Sequence, residues 1–147
     1  MDAAAPPRTE DYPYILNENV RFADLDPNHH VNNAVYATYF ETSRVMLTRD
    51  PDIHLTPTGL GWVLVRLDIH FRAELHWPGE VQLALGVARI GRTSVGYDQA
   101  VFAEGTCVAS ARAVTVLIDQ ATRKPTALGE EMVTNLQRWQ MRNAVAR

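Results

Sequence analysis

Residues 63–75 carry the plainest pattern in the chain: Val63, Val65, Leu67, Ile69, Phe71, Ala73 and Leu75 alternate with Leu64, Arg66, Asp68, His70, Arg72 and Glu74. A period of two is that of a strand with one buried face, because successive side chains leave a pleated backbone on opposite sides. Pro78-Gly79 breaks the run, and Val81, Leu83, Leu85 and Val87 resume it. Beyond a turn at Gly91-Arg92-Thr93, residues 94–103 and 106–119 read as two further strands, with Glu104-Gly105 as a tight hairpin between them. The last strand is rich in Val and Ala on both faces, which predicts a central strand covered on both sides.

Helical spacing appears twice. Residues 34–48 contain no Gly or Pro and set Tyr36, Phe40 and Leu47 near one face, with Val35, Tyr39 and Met46 beside them. Asn32 or Asn33 would cap the first free N–H groups of that helix. Pro51, Pro57, Gly59 and Gly61 make residues 49–61 a loop. A terminal helix is expected over 130–142, with Met132, Leu136 and Trp139 near one face. Ile15, Leu16, Val20 and Phe22 place a strand, or two short ones, before Asp24. Residues 1–13, rich in Ala and Pro, read as a flexible leader, and 14–147 as a single domain.

These elements predict an α+β architecture in which one long helix lies along a curved antiparallel sheet of about five strands. The helix covers one sheet face, and the other face or an edge calls for a partner subunit, so a homodimer or homotetramer is expected.

Composition narrows the partners. The chain has 147 residues, 46% of them hydrophobic and 21% charged, as in one ordinary globular domain. A net charge of -3 gives no electrostatic reason to expect nucleic acid or a membrane surface as a partner. No apolar run approaches the roughly 20 residues that span a bilayer, and residues 1–13 lack the apolar centre of a signal peptide. One cysteine, Cys107, excludes an intramolecular disulfide and fits a reducing cytoplasm. His54, His70 and His76 lack metal-ligand spacing with one another, so no metal site is expected.

The chemistry-bearing segment is Val20-Arg21-Phe22-Ala23-Asp24-Leu25-Asp26-Pro27-Asn28-His29-His30-Val31-Asn32-Asn33, followed by Tyr36, Tyr39, Glu41 and Arg44. It resembles the thioesterase branch of the hot-dog superfamily, represented by 4-hydroxybenzoyl-CoA thioesterase-like proteins and by acyl-ACP thioesterases. The resemblance continues through residues 66–73, the turns at 78–80 and 92–94, and a closing strand that ends at Asp119 ahead of Pro125. It covers residues 15 to 130 in round terms and implies a hot-dog fold. The implied activity is hydrolysis of an acyl thioester, carried by CoA or a carrier protein, with no cofactor beyond the CoA of the substrate.

Carried over residue by residue, the resemblance puts the catalytic carboxylate on Asp26. Asn28 and His30 stand where the acyl-ACP branch has its Asn and His. The backbone N–H that polarises the thioester carbonyl in the hydroxybenzoyl branch falls at Asn33. Many relatives have Gly where this chain has His29, and Gly there serves a positive φ or a close approach of substrate. That departure favours a fatty-acyl substrate over the hydroxybenzoyl type.

Elementary chemistry asks for the same parts: a base or nucleophile near the carbonyl carbon and a donor near its oxygen. A turn feeding a helix N-terminus supplies both. Asp26 would deprotonate water or attack directly to form a mixed anhydride.

Plainer readings stand beside these. Asp24 and Asp26 also suit turn caps, and Asn28 an Asx-turn. His30 suits either a substrate donor or a packed histidine, and His29 a lining or surface position. Glu41 and Arg44 suit an i,i+3 ion pair. Tyr36, Tyr39 and Phe40 suit the core and, in a helix lining a tunnel, the acyl site. Arg89 and Arg92 suit either the CoA phosphates or a solvated hairpin.

Among other activities of the fold, enoyl-CoA hydration needs a motif resembling Asp-x-Asn-Pro-x-His. Pro27, His29 and Val31 break that spacing. A non-catalytic acyl-CoA-binding protein is the remaining alternative, and it has no need of Asp26.

Overall fold

The computed structural model of the chain describes residues 5–145. The elements run β1 (Tyr14–Val20), α1 (Asn33–Thr48), β2 (Leu60–Phe71), β3 (Gly79–Ile90), β4 (Ser94–Ala103), β5 (Thr106–Asp119) and α2 (Glu130–Gln137). All strand pairs are antiparallel, in one five-stranded sheet of order β1-β3-β4-β5-β2. The chain therefore enters at one sheet edge and crosses to the other, and α1 spans the gap, packed on β1, β3 and β4. This is the hot-dog arrangement: one long helix wrapped by a curved antiparallel sheet.

The period-two pattern decides which face α1 receives. Leu83 of β3 and Val101 of β4 pack with Tyr36, Tyr39 and Phe40 of α1. Farther along the same face, Leu85, Val87, Tyr97 and Leu117 meet Leu47 of α1 together with Met132 and Leu136 of α2. The intervening residues Ala84, Ala100 and Phe102 point to the opposite face, where Tyr12, Cys107, Met141 and Val145 cover them. Both faces are thus covered in part by the chain itself.

Several expectations are corrected. Only residues 1–4 of the leader lie outside the described residues. Its later part is packed, since Tyr12 is 1% exposed and the buried Asp11 accepts the Nδ2–H of Asn143 at 3.1 Å. The terminal helix stops at Gln137 rather than 142, because Trp139 and Met141 bond instead to the backbone of Val87 on β3. Strand β5 is interior, as expected, lying between β4 and β2, but the middle strand of the sheet is β4. Its polar pair hides that position from the pattern: Asp98 and Gln99 are buried, and Gln99 accepts from Arg44 Nη1 at 2.9 Å. Arg44 accordingly turns into the sheet, and although the Glu41 charge acts on it, the two form no close ion pair among the described residues.

Strand β2 begins earlier and ends at Phe71, and its register with β5 shifts between Leu64 and Arg66. Val65 is the extra residue of a bulge, so the alternation changes phase there. Val63, Leu64 and Val65 are exposed, while Leu67 and Ile69 join the core. The Glu104-Gly105 hairpin is as expected, both residues having positive φ (49° and 80°), as a two-residue turn of that kind requires.

What holds the candidate segment in place is Asp24, 2% exposed. Its Oδ1 accepts from Arg21 Nε at 3.0 Å and Nη2 at 2.8 Å, and its Oδ2 from the Arg21 backbone N–H at 2.8 Å and the Tyr39 hydroxyl at 3.3 Å. Its backbone carbonyl accepts the N–H of Asn32 at 2.8 Å. The end of β1 and the start of α1 are thereby clamped together. Burial pushes the Asp24 carboxyl up, but the backbone N–H and guanidinium of Arg21, with Tyr39, outweigh it and hold the group below the ordinary carboxylate range. Between the clamped ends, residues 25–31 close on themselves through the Leu25–Val31 bridge and a 2.9 Å bond from Asp26 N–H to the His30 carbonyl. The tip of that loop puts His29 at φ 63°.

Two outcomes are expected. Because the folded carboxyl of Asp24 is depressed, its stabilisation is full above the unfolded value of about 3.9 and fades as pH falls through the folded value. Asp24→Asn should cost about 1–3 kcal/mol at neutral pH, and the gap to wild type should close below about pH 4 in urea unfolding. A gap independent of pH would refute the assignment. At the loop tip, His29→Val should lower stability by about 1–2 kcal/mol while His29→Gly does not, since a β-branched side chain resists positive φ more than histidine does and glycine does not resist it at all. Thermal unfolding of the two variants decides this.

Candidate active site

Helix α1 starts where Asn32 ends the loop. Asn32 has extended dihedrals and its Oδ1 accepts from Ala34 N–H at 2.9 Å, so it, and not Asn33, is the N-cap. Val35 N–H goes to the Asn32 carbonyl at 3.0 Å. The N–H of Asn33 accordingly has no acceptor among the described residues. It stands at the positive end of the helix dipole.

Asp26, His30, Asn33 and Tyr36 line one cavity of about 310 Å³, whose far wall is Phe71, Arg72, Ala73, Glu74 and Leu75. Asp26 uses Oδ1 to accept the N–H groups of Asn28 at 2.8 Å and His30 at 3.3 Å. One oxygen thus serves the turn, in keeping with the plainer reading. Oδ2 takes no hydrogen bond among the described residues and is the oxygen with lone pairs to offer a water or an acyl carbon. Tyr36 is buried, edge-on to Phe71 at 5.2 Å and to Tyr39 at 6.1 Å, and burial raises its hydroxyl above the ordinary phenol value. It stays a neutral donor at physiological pH.

His30 is half-buried, and its Nε2 lies 3.3 Å from Glu74 Oε2. His76 Nε2 lies 3.6 Å from the same oxygen, and the two imidazoles meet edge to face at 5.1 Å. Spacing along the chain could not reveal this group, since Glu74 and His76 come from the segment after β2.

Asn28 and His29 are exposed and outside the cavity wall, so Asn28 reaches Asp26 through its backbone. Arg92 sits on the β3–β4 turn, where its carbonyl accepts Leu128 N–H at 2.9 Å. Arg89 lines a separate groove with Arg66 and Arg112. That groove shares Arg66, Asp68, Asp98 and Arg112 with a hollow of about 410 Å³ along β2, and the hollow shares Arg72 with the Asp26 cavity. A surface path carrying four arginines and two aspartates therefore leads from Arg89 to Asp26. Sequence reasoning missed Arg66, Arg72 and Arg112, although Arg66 and Arg72 stand in phase on the polar side of the alternation.

Among the described residues, no helix is long and apolar enough to cross a membrane. A family model described as the thioesterase-like superfamily matches residues 20–136. No curated protein sequence matches the chain. Among solved structures, the PA5185 protein of Pseudomonas aeruginosa is 26% identical, with a TM-score of 0.85 over 95% of this chain and 100% of its own. YbaW, a probable thioesterase of Escherichia coli, is 26% identical with a TM-score of 0.75 over 85% of this chain and 97% of its own. A thioesterase of Thermus thermophilus, solved in complex with coenzyme A and Zn, is 26% identical with a TM-score of 0.76 over 86% and 98%. With a matching fold and a family model spanning most of its length, the chain belongs to the thioesterase-like superfamily.

Proposed function

We propose that this protein hydrolyses acyl-CoA thioesters to the free acid and CoA. The observation that carries the reading is that Asp26 and Asn33, whose N–H has no acceptor among the described residues, line one cavity. The two groups address the two ends of a thioester carbonyl. Asp26 Oδ2 takes a proton from water as the water oxygen adds to the carbonyl carbon. The Asn33 N–H and the helix dipole receive the negative charge that forms on the carbonyl oxygen. Collapse of the tetrahedral intermediate breaks the C–S bond, and the CoA thiolate takes up a proton on leaving. Direct attack by Asp26, followed by hydrolysis of the mixed anhydride, uses the same placement.

Recognition of CoA fits the arginine path. From Arg66 to Arg72 the strand covers about 20 Å at about 3.3 Å per residue, comparable to an extended pantetheine arm. A thioester at Asp26 would then bring the nucleotide phosphates to Arg66, Arg89 and Arg112, and guanidinium is well shaped for phosphate. Arg92, outside that path, has no part in this reading. The coenzyme A bound to the Thermus thermophilus relative supports the same substrate class. His29 adopts the positive φ that a glycine would, so turn shape does not separate the two substrate types, and the fatty-acyl preference rests only on the presence of a side chain there. A second copy of this chain is proposed to cover the free edge of β2, where Val63, Leu64 and Val65 are exposed.

Thiol release from short, long and aromatic acyl-CoAs tests the proposal. Asp26→Asn should lower kcat at least about 100-fold with unchanged unfolding, while Arg66→Ala should raise KM and leave kcat nearly intact. No turnover of any substrate by wild type, or an unaffected Asp26→Asn, would sink it. Sedimentation at micromolar concentration should show at least a dimer, and a monomer alone would remove the β2-edge pairing.

A further inference from the structure

We propose that His30, Glu74 and His76 form a binding site for a divalent transition-metal ion of the zinc class, on the rim of the Asp26 cavity. Two backbone features build it. Leu75 is 4% exposed and points into the core, so its neighbours Glu74 and His76 emerge together on the outer side of an extended segment. Val31 donates its N–H to the Leu75 carbonyl at 2.8 Å, which holds the preceding His30 against that segment.

The donor atoms converge as a metal requires. Nε2 of His30 and Nε2 of His76 lie 3.3 and 3.6 Å from one oxygen of Glu74, and the ligand atoms of all three residues lie within 4.8 Å of one another. A tetrahedral ion with bonds of about 2.0–2.1 Å separates its ligands by about 3.3–3.4 Å. Two of the three separations are thus close to those of a filled site, and rotation of exposed side chains supplies the rest.

Two imidazoles with one carboxylate suit zinc, copper or nickel rather than magnesium or calcium, which prefer oxygen alone. Three protein ligands leave a further position open to water. The competing account is a solvent-exposed hydrogen-bonded pair. Side chains 60% and 64% exposed at His76 and Glu74 gain little from such a pair and lose rotamer freedom to hold it. A shared ion supplies the missing attraction. Asp26 is not one of the ligands, so the site does not depend on the thioesterase reading.

The test is calorimetric titration of the full chain, without a histidine tag, with zinc chloride in a non-coordinating buffer. Thermal unfolding in zinc and in EDTA accompanies it. One zinc per chain at micromolar affinity or better is expected, together with a melting temperature raised by zinc and returned by EDTA. His76→Ala and Glu74→Gln should each weaken binding about 10-fold or more, while His54→Ala and His70→Ala leave it unchanged. Equal melting temperatures of the variants and wild type in EDTA show that their folds are intact. Absence of saturable binding to wild type, or binding that survives in both His76→Ala and Glu74→Gln, would overturn the site. Thiol release plays no part in this readout, so the two proposals fail separately.

Discussion

The structure depends on one buried carboxylate. Asp24 lies where β1 hands over to α1, and within a few ångströms it receives the Arg21 guanidinium and N–H and the Tyr39 hydroxyl. A carboxylate this deep would be costly if any of those donors were absent, because removing water from an ion costs several kcal/mol. With them present, the first turn of α1 has a defined position relative to the sheet. The loop from Leu25 to Val31 then has both ends held, and its conformation follows from closing a short span.

That constraint explains why two neighbouring acids differ in kind. Asp24 has both oxygens engaged and is buried, so it is structural. Asp26, two residues on, gives one oxygen to backbone N–H groups and leaves the other without a hydrogen bond among the described residues. The helix serves the same division. Its interior face carries Tyr36, Tyr39 and Phe40 into the core, while Asn33 and Tyr36 of its first turn line the cavity. One element thus contributes both to the core and to the cavity wall.

The buried polar layer does similar work farther along α1. Gln99 on β4 accepts from Arg44 and donates to the Phe40 carbonyl at 2.9 Å and the Ser43 hydroxyl at 2.7 Å. In a low-dielectric interior such a network penalises any sliding of helix on sheet, because a shift would strand several polar groups at once. It thereby registers the cavity at the helix start against the wall supplied by residues 71–75.

Much of this was legible in the residues alone. Period-two alternation marked β2 and β3, apolar runs between turn signals marked β4 and β5, the absence of Gly and Pro marked α1, and Glu104-Gly105 marked its hairpin, because these signals are local and each reports a backbone preference. The resemblance of residues 20–33 placed the candidate acid. Other features have no local signature. The edge position of β2 and the bulge at Val65 depend on which strand pairs with which. The burial of Asp98 and Gln99 depends on Arg112 and Arg44 arriving from elsewhere. The early end of α2 depends on Val87 offering a better partner than another helical turn. The meeting of His30 with Glu74 and His76, like the path from Arg89 to Arg72, joins residues far apart in the chain. Sequence determined the elements and the candidate loop, because those follow from the conformational preferences of neighbouring residues. Only the tertiary structure decided what faces that loop, because a contact across the sheet is set by the packing of the whole chain.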